Sequence, residues 1–281
     1  TTDDTALVLS GTNESGSSVK VYNGSTELGS ATVSGTSWSY SATVANGTTY
    51  QFNVKETDLA GNTSAATSNF AVTGDTTAPT VSSVAITSAT GIQNNLLNAG
   101  DNVSVTVTFS ENVPVTNTPQ LTLAVGDDNQ TATYASSGNG GTTLVFKYTI
   151  QAGDNDTNGI SIRANALALD NGTIMDLAEN NAILTHSAVD NNSSYKVDTE
   201  APRVDNFTLS DTALKIGDNA TVTLGFSEPV ISFEAADITA DNGTLPAMAS
   251  NDNTTWEGTF TPATNTEEDN NTLSLATSYT D

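Results

Sequence analysis

Carboxylates set the chemistry open to this chain. Its 281 residues hold 32 Asp and Glu against 7 Lys and Arg, a formal charge of −25, and several of the acids recur at matching places. Glu14, Glu111 and Glu228 each close a run that reads as a strand. Asp58, Asp176 and Asp281 each follow a later run, and Asp75 and Asp198 stand in two copies of Asp-Thr-x-Ala-Pro. Oxygen ligands of this kind suit Ca²⁺, which takes about six to eight of them at flexible geometry. A second candidate is Asp154-Asn-Asp156-Thr-Asn158-Gly159, which fits the opening of a calcium loop of the D-x-D-x-N-G type. That fit is partial, because Asn165 stands where a bidentate Glu is wanted, and an Asx-rich turn explains the same letters.

Other chemistries find less support. His186 is the single histidine and sits in Leu184-Thr-His186-Ser, without the glycine pattern of a nucleophile elbow, so a solvated loop residue is expected. Paired carboxylates could hydrolyse glycosides, yet acids repeated along the chain fit joints better than one catalytic cleft. Trp38 and Trp256 could stack on sugars, but they alternate with Tyr40 and Phe260 and read as core. No enzymatic activity is expected.

The elements that must position these acids are strands. Val103, Val105, Val107 and Phe109 alternate with Ser and Thr, as do Ala220, Val222, Leu224 and Phe226, and no stretch keeps a helical period. Asn23-Gly24, Asn46-Gly47, Asn171-Gly172 and Asn242-Gly243 supply turns that tolerate positive φ. Short strands with such turns predict antiparallel β-sandwiches.

The chain also repeats itself. Gly100-Asp-Asn-Val-Ser-Val-Thr-Val-Thr-Phe-Ser-Glu-Asn-Val113 returns 117 residues later as Gly217-Asp-Asn-Ala-Thr-Val-Thr-Leu-Gly-Phe-Ser-Glu-Pro-Val230, with nine of fourteen positions identical. Asp75-Thr-Thr-Ala-Pro79 returns as Asp198-Thr-Glu-Ala-Pro202. Repetition at a domain's length implies modules in series. Pro79 and Pro202 force an extended lead-in to a new first strand, which places modules at 1–75, 76–198 and 199–281. The outer two read as truncated, and the chain reads as a segment of a larger protein.

In such a sandwich the loop after the second strand and the loop before the last strand return to one pole. Asp75 would then meet Glu111 and Asp176, and Asp198 would meet Glu228 and Asp281, with Glu14 and Asp58 as the matching pair in the first module. Three carboxylates meeting at a joint repel unless a cation sits among them; the alternative is that they are solvated loop acids.

A surface this acidic repels phosphate backbones and anionic headgroups, so bilayers are poor partners and no nucleic-acid partner is expected. There is no cysteine, hence neither a disulfide framework nor a thiolate site. No apolar run approaches the length of a membrane span, and no bilayer insertion is expected.

Ser10-Gly-Thr-x-Glu14, Thr57-Asp-Leu-Ala-Gly-Asn62, Phe-Ser-Glu at 109–111 and 226–228, Ala152-Gly-Asp-Asn-Asp-Thr-Asn-Gly-Ile160 and the Asp-Thr-x-Ala-Pro linkers together resemble the bacterial immunoglobulin-like repeats of giant repeat-in-toxin-type surface adhesins, the acidic marine and ice-binding ones in particular. The resemblance covers the whole chain. It implies an extracellular, monomeric stalk on a bacterial surface, stiffened by Ca²⁺ between modules, serving adhesion and biofilm attachment. Its partners would be neighbouring repeats, with host or environmental surfaces engaged by other regions. Extracellular calcium modules bind at about 10⁻⁴ to 10⁻³ M. One departure is Asp176-Leu-Ala-Glu179-Asn180, which lacks the glycine found at Gly61 and is expected to shape that loop differently. The rival readings are a glycan- or peptide-binding module and an accessory domain of a secreted carbohydrate-active enzyme.

Overall fold

The computed structural model describes residues 1–135, 141–264, 266, 267, 271–277, 279 and 280. The described residues are all-β apart from one 3₁₀ turn at Ala235–Asp237, and the chain divides into two compact units, Thr1–Thr199 and Glu200–Asp281. Among the described residues no helix is long and apolar enough to cross a membrane.

The first unit opens with seven strands: β1 (Ala6–Thr12), β2 (Ser18–Asn23), β3 (Thr26–Ser30), β4 (Thr32–Ser34), β5 (Ser37–Thr43), β6 (Thr49–Thr57) and β7 (Phe70–Thr73). They form two antiparallel sheets, ordered β1-β5-β4 and β3-β2-β6-β7. Alternation decides which side chains enter between them: Val19, Val21, Ala42, Val44 and Phe52 are buried, while Lys20 and Ser41 face out. This core is thin.

Residues 81–197 carry the largest core. Its strands are β8 (Val81–Thr90), β9 (Leu96–Leu97), β10 (Asn102–Phe109), β11 (Val115–Thr116), β12 (Gln120–Val125), β13 (Asp128–Tyr134), β14 (Thr143–Thr149), β15 (Leu167–Ala168), β16 (Thr173–Ile174) and β17 (Lys196–Val197). Six of them make one sheet, β15-β12-β13-β14-β10-β8; β11 pairs with β16, and β17 runs parallel to β9. Val103, Val105 and Val107 of β10 are fully buried with Leu121, Leu123, Leu144 and Phe146. Each contributes roughly 1.5–3 kcal/mol by leaving water. The opposing layer is less regular than a plain sandwich would have it. Ile160, Ile162 and Ile174 are buried there, but between 150 and 199 the backbone is tied mostly by isolated bridges such as Ile162↔Val189 and Asp156↔Val197. The Asn, Asp and Gly that crowd this stretch favour local turns over ladder pairing.

The second unit contains β18 (Val204–Leu209), β19 (Ala220–Phe226), β20 (Ile238–Ala240), β21 (Gly243–Thr244), β22 (Met248–Ala249), β23 (Thr255–Pro262) and β24 (Leu273–Leu275). Its sheet runs β18-β19-β23-β21, with β22 also on β23, and β20 pairs with β24. Phe226, Phe233 and Trp256 fill its core, with Phe233 edge-on to Trp256 at 5.0 Å between ring centres.

The repeated phrase adopts the same structure twice. Asp101 N–H donates to Asn98 O and its carboxylate accepts from Asn98 N; Asp218 makes the same pair of bonds with Lys215. Thr149 Oγ1 donates to Asn102 Oδ1 at 2.8 Å, and Thr261 Oγ1 donates to Asn219 Oδ1 at 2.7 Å. Ser110 and Thr80 bond each other as Ser227 and Arg203 do. The echo in the letters is therefore an echo in hydrogen bonding.

Candidate metal centre

Asp75 leaves β7, Glu111 follows β10, and Asp176 follows β16. The structure brings them together: one carboxylate oxygen from each lies within 4.8 Å of the others. Asp176 is buried, and Asp75 and Glu111 are half-buried. Glu111 has no hydrogen-bond donor among the described residues. Burial, together with the charges of Asp75 and Asp176, raises its carboxyl above the ordinary glutamate value.

Asp176 is fixed by its own loop. Its Oδ1 accepts from the N–H groups of Ala178 (2.7 Å) and Asn180 (2.9 Å), and its Oδ2 accepts from Asn180 Nδ2 at 2.8 Å. Asp58 is held identically, by Ala60 N, Asn62 N and Asn62 Nδ2 at 2.9, 2.8 and 2.8 Å. These bonds hold the Asp58 carboxyl below its ordinary value, the Asn62 side chain contributing most. The expectation that Glu179 would reshape its loop is corrected here: the two loops are the same, and Glu179 takes the positive φ that Gly61 takes.

Sequence reasoning did not single out Asn180, which crosses the joint. Its Nδ2 donates to the carbonyl of Asp75 at 2.9 Å as well as to Asp176. The recurring spacing of Asp58 to Asn62 and Asp176 to Asn180 was the available signal. On the first-module side, Thr77 N donates to Asp75 Oδ1 at 3.1 Å, leaving the other oxygen without a protein donor among the described residues.

The three carboxylates fit a hard divalent cation in charge and donor type. They supply oxygen only, and their mutual repulsion is what such an ion relieves. Carbonyls and water would have to complete the shell.

The remaining predicted ligands sit elsewhere. Asp154 and Asp156 are buried, and protein donors occupy both carboxylates. Asp154 accepts from Gln130 Nε2 (2.8 Å), Tyr148 OH (2.6 Å) and Gln151 N (2.8 Å). Asp156 accepts from Gly126 N (2.8 Å), Asn158 N (3.1 Å) and Gly159 N (2.7 Å). Donors aimed at both carboxylates, as an Asx turn provides, satisfy a buried charge without a metal. Asn158 takes part through its backbone N–H. Burial, followed by the bond to Asp154, pushes the Tyr148 hydroxyl well above its usual range.

Glu14 lies beside the Asp58 loop. Its N–H and Ser17 Oγ both donate to Glu56, at 2.6 and 2.5 Å, and Ser17 contributes most to lowering the Glu56 carboxyl below its ordinary value. Asp198 belongs to the first unit and Glu228 to the second, and Asp281 lies outside the described residues.

His186 is engaged rather than solvated: Nε2 accepts from Ala166 N–H at 2.9 Å, and Nδ1 lies 2.7 Å from Ser187 O. Both nitrogens are occupied by backbone. Trp38 lies against Gly11, whose absent Cβ would meet the indole at 2.8 Å.

Comparison with known proteins places this architecture. Residues 1–76 and residues 198–281 match two family models that carry one description, bacterial Ig-like domain, and both stretches are bacterial Ig-like domains. No curated protein matches the chain. Among solved structures, the SGBP-B protein of the Bacteroides ovatus mixed-linkage glucan utilization locus, in complex with a mixed-linkage heptasaccharide, is similar at 16% identity with a TM-score of 0.22. That alignment takes in 95% of this chain and 56% of the other.

Proposed function

We propose that this chain is an extender segment of a large bacterial cell-surface adhesin. Its modules stand in series outside the cell and hold a distal binding region away from the surface. Ca²⁺ bound by Asp75, Glu111 and Asp176 strengthens the joint between the first two modules. The partners are neighbouring repeats of the same chain, the segment acts as a monomer, and it performs no catalysis.

The observation that carries this reading is Glu111: a half-buried carboxylate with two carboxylate neighbours and no donor among the described residues. The bacterial Ig-like domains at both ends and the duplicated hydrogen bonding of residues 100–113 and 217–230 support a serial, structural role. The grooves beside β8 (Val81, Val84, His186) and β23 (Ile216, Phe260, Pro262) carry no tryptophan, which gives a sugar ring no indole to stack on.

Thermal unfolding of the whole chain with excess CaCl₂ and then with chelator tests the proposal. Calcium is expected to raise the melting temperature, as any ion that binds the folded state alone does. Melting curves that superimpose would remove calcium from the joint.

A further inference from the structure

A hinge needs residues free to change φ and ψ. The linker that joins β7 to β8 has none. Gly74 donates to Thr48 O at 3.0 Å and accepts from Gly47 N at 2.8 Å. Asp75 N donates to Thr2 O at 2.8 Å, while Asp75 O accepts from Asn180 Nδ2. Thr76 N donates to Asn46 Oδ1 at 2.9 Å, and Asn46 Nδ2 donates to Thr77 Oγ1 at 2.8 Å. Ala78 is restricted by the proline that follows it, and Pro79 has its own φ fixed. Pro79 O accepts from Ile183 N at 2.8 Å, and Thr80 exchanges two bonds with Ser110.

The order of these bonds matters more than their number. The first module, through Thr2, Asn46 and Thr48, holds the linker as far as Thr77. The second module, through Asn180, already holds it at Asp75. The two sets overlap, so no free segment lies between them. Asp75 is gripped from both sides, its N–H by Thr2 and its carbonyl by Asn180, while Thr77 fixes one of its carboxylate oxygens.

We infer that the amides of Asn46 and Asn180 clamp this linker, making the joint stiff before any cation arrives, and that Asn46 is the positioning residue that aims Asp75 at Glu111 and Asp176. The cation part of this inference rests on the function proposed above; the stiffness does not. Among the described residues the Asn46 side chain bonds Thr76 and Thr77 and none of the three acids, so its effect on them passes through the linker.

The chain has no cysteine, so one introduced at exposed Ser30 and one at exposed Asn129 give a single pair of spin labels spanning the two modules. In chelator, the unsubstituted joint is expected to give one narrow distance distribution. Asn46→Ala and Thr77→Val, which remove opposite ends of one bond, should each broaden it, and the double variant should broaden it no further than Asn46→Ala alone. Asn46→Ala should also bind Ca²⁺ several-fold more weakly than the unsubstituted chain in a calorimetric titration. A distribution in chelator that is already broad, or one that Asn46→Ala leaves narrow, would overturn the clamp. If neither chain binds Ca²⁺ in the titration while Asn46→Ala still broadens the distance distribution, the calcium reading fails and the clamp stands.

Discussion

Glu179 adopts the left-handed backbone (φ 75°) that Gly61 adopts (φ 90°) at the same place in the first module, and both loops close on their aspartates with the same hydrogen bonds. The loop geometry is therefore set by the Asp-to-Asn pairing, strongly enough to hold a residue with a Cβ in a region that costs it roughly 1–2 kcal/mol.

That strain is recoverable. Glycine relieves it but adds freedom to the unfolded chain, so Glu179→Gly is expected to stabilise by about 0.5 kcal/mol net. Glu179→Ala removes the same charge and keeps the Cβ. Urea midpoints should place Glu179→Gly above Glu179→Ala; equal midpoints would mean that charge, not backbone, decides.

Gly74 is needed for closeness. A Cβ there would come within 2.5 Å of Ala45 O and 2.6 Å of Val44 Cγ1, at the root of the linker. Gly74→Ala is expected to cost about 1–3 kcal/mol, and the spin-label distribution should broaden with it. Thermal melts and distance measurements on the same variant check both parts.

Asp154 belongs to the fold rather than to a calcium site in this account. Tyr148→Phe removes one donor from a buried carboxylate and is expected to destabilise by about 1.5–3 kcal/mol, while leaving the calcium isotherm unchanged. An altered calcium stoichiometry would return Asp154 to the list of ligands.

Glu111 gives an unusual sign of pH dependence. Its carboxyl is raised in the folded chain by burial and by Asp75 and Asp176, so the folded state holds that proton more tightly than the unfolded one. The stabilisation from this group is present below the ordinary value of 4.5 and is lost as pH rises through the higher folded value. In chelator, the Glu111 side-chain carbon should titrate above an ordinary glutamate, and Asp75→Asn should bring it down. A Glu111 that titrates like a solvated glutamate would show that the acids do not interact.

The strands were legible because alternation is local: β10 and β19 bury the residues their sequences mark. The meeting of Asp75, Glu111 and Asp176 was legible from topology, since loops at one pole must converge. Asp154 and Asp156 were ambiguous because their donors Gln130, Tyr148 and Gly126 arrive from β13, β14 and the turn before β13, and no spacing rule reports that. The clamp was hidden for a related reason, since Asn46 and Asn180 reach the linker from opposite modules, 31 residues from Thr77 and 105 from Asp75 in sequence.

Calorimetric titration with CaCl₂ of the wild-type chain beside the Asp75→Asn/Glu111→Gln variant tests the central claim most directly. The account predicts that the variant binds one calcium ion fewer while its chelator-treated melting temperature is no lower. Isotherms that superimpose would contradict it.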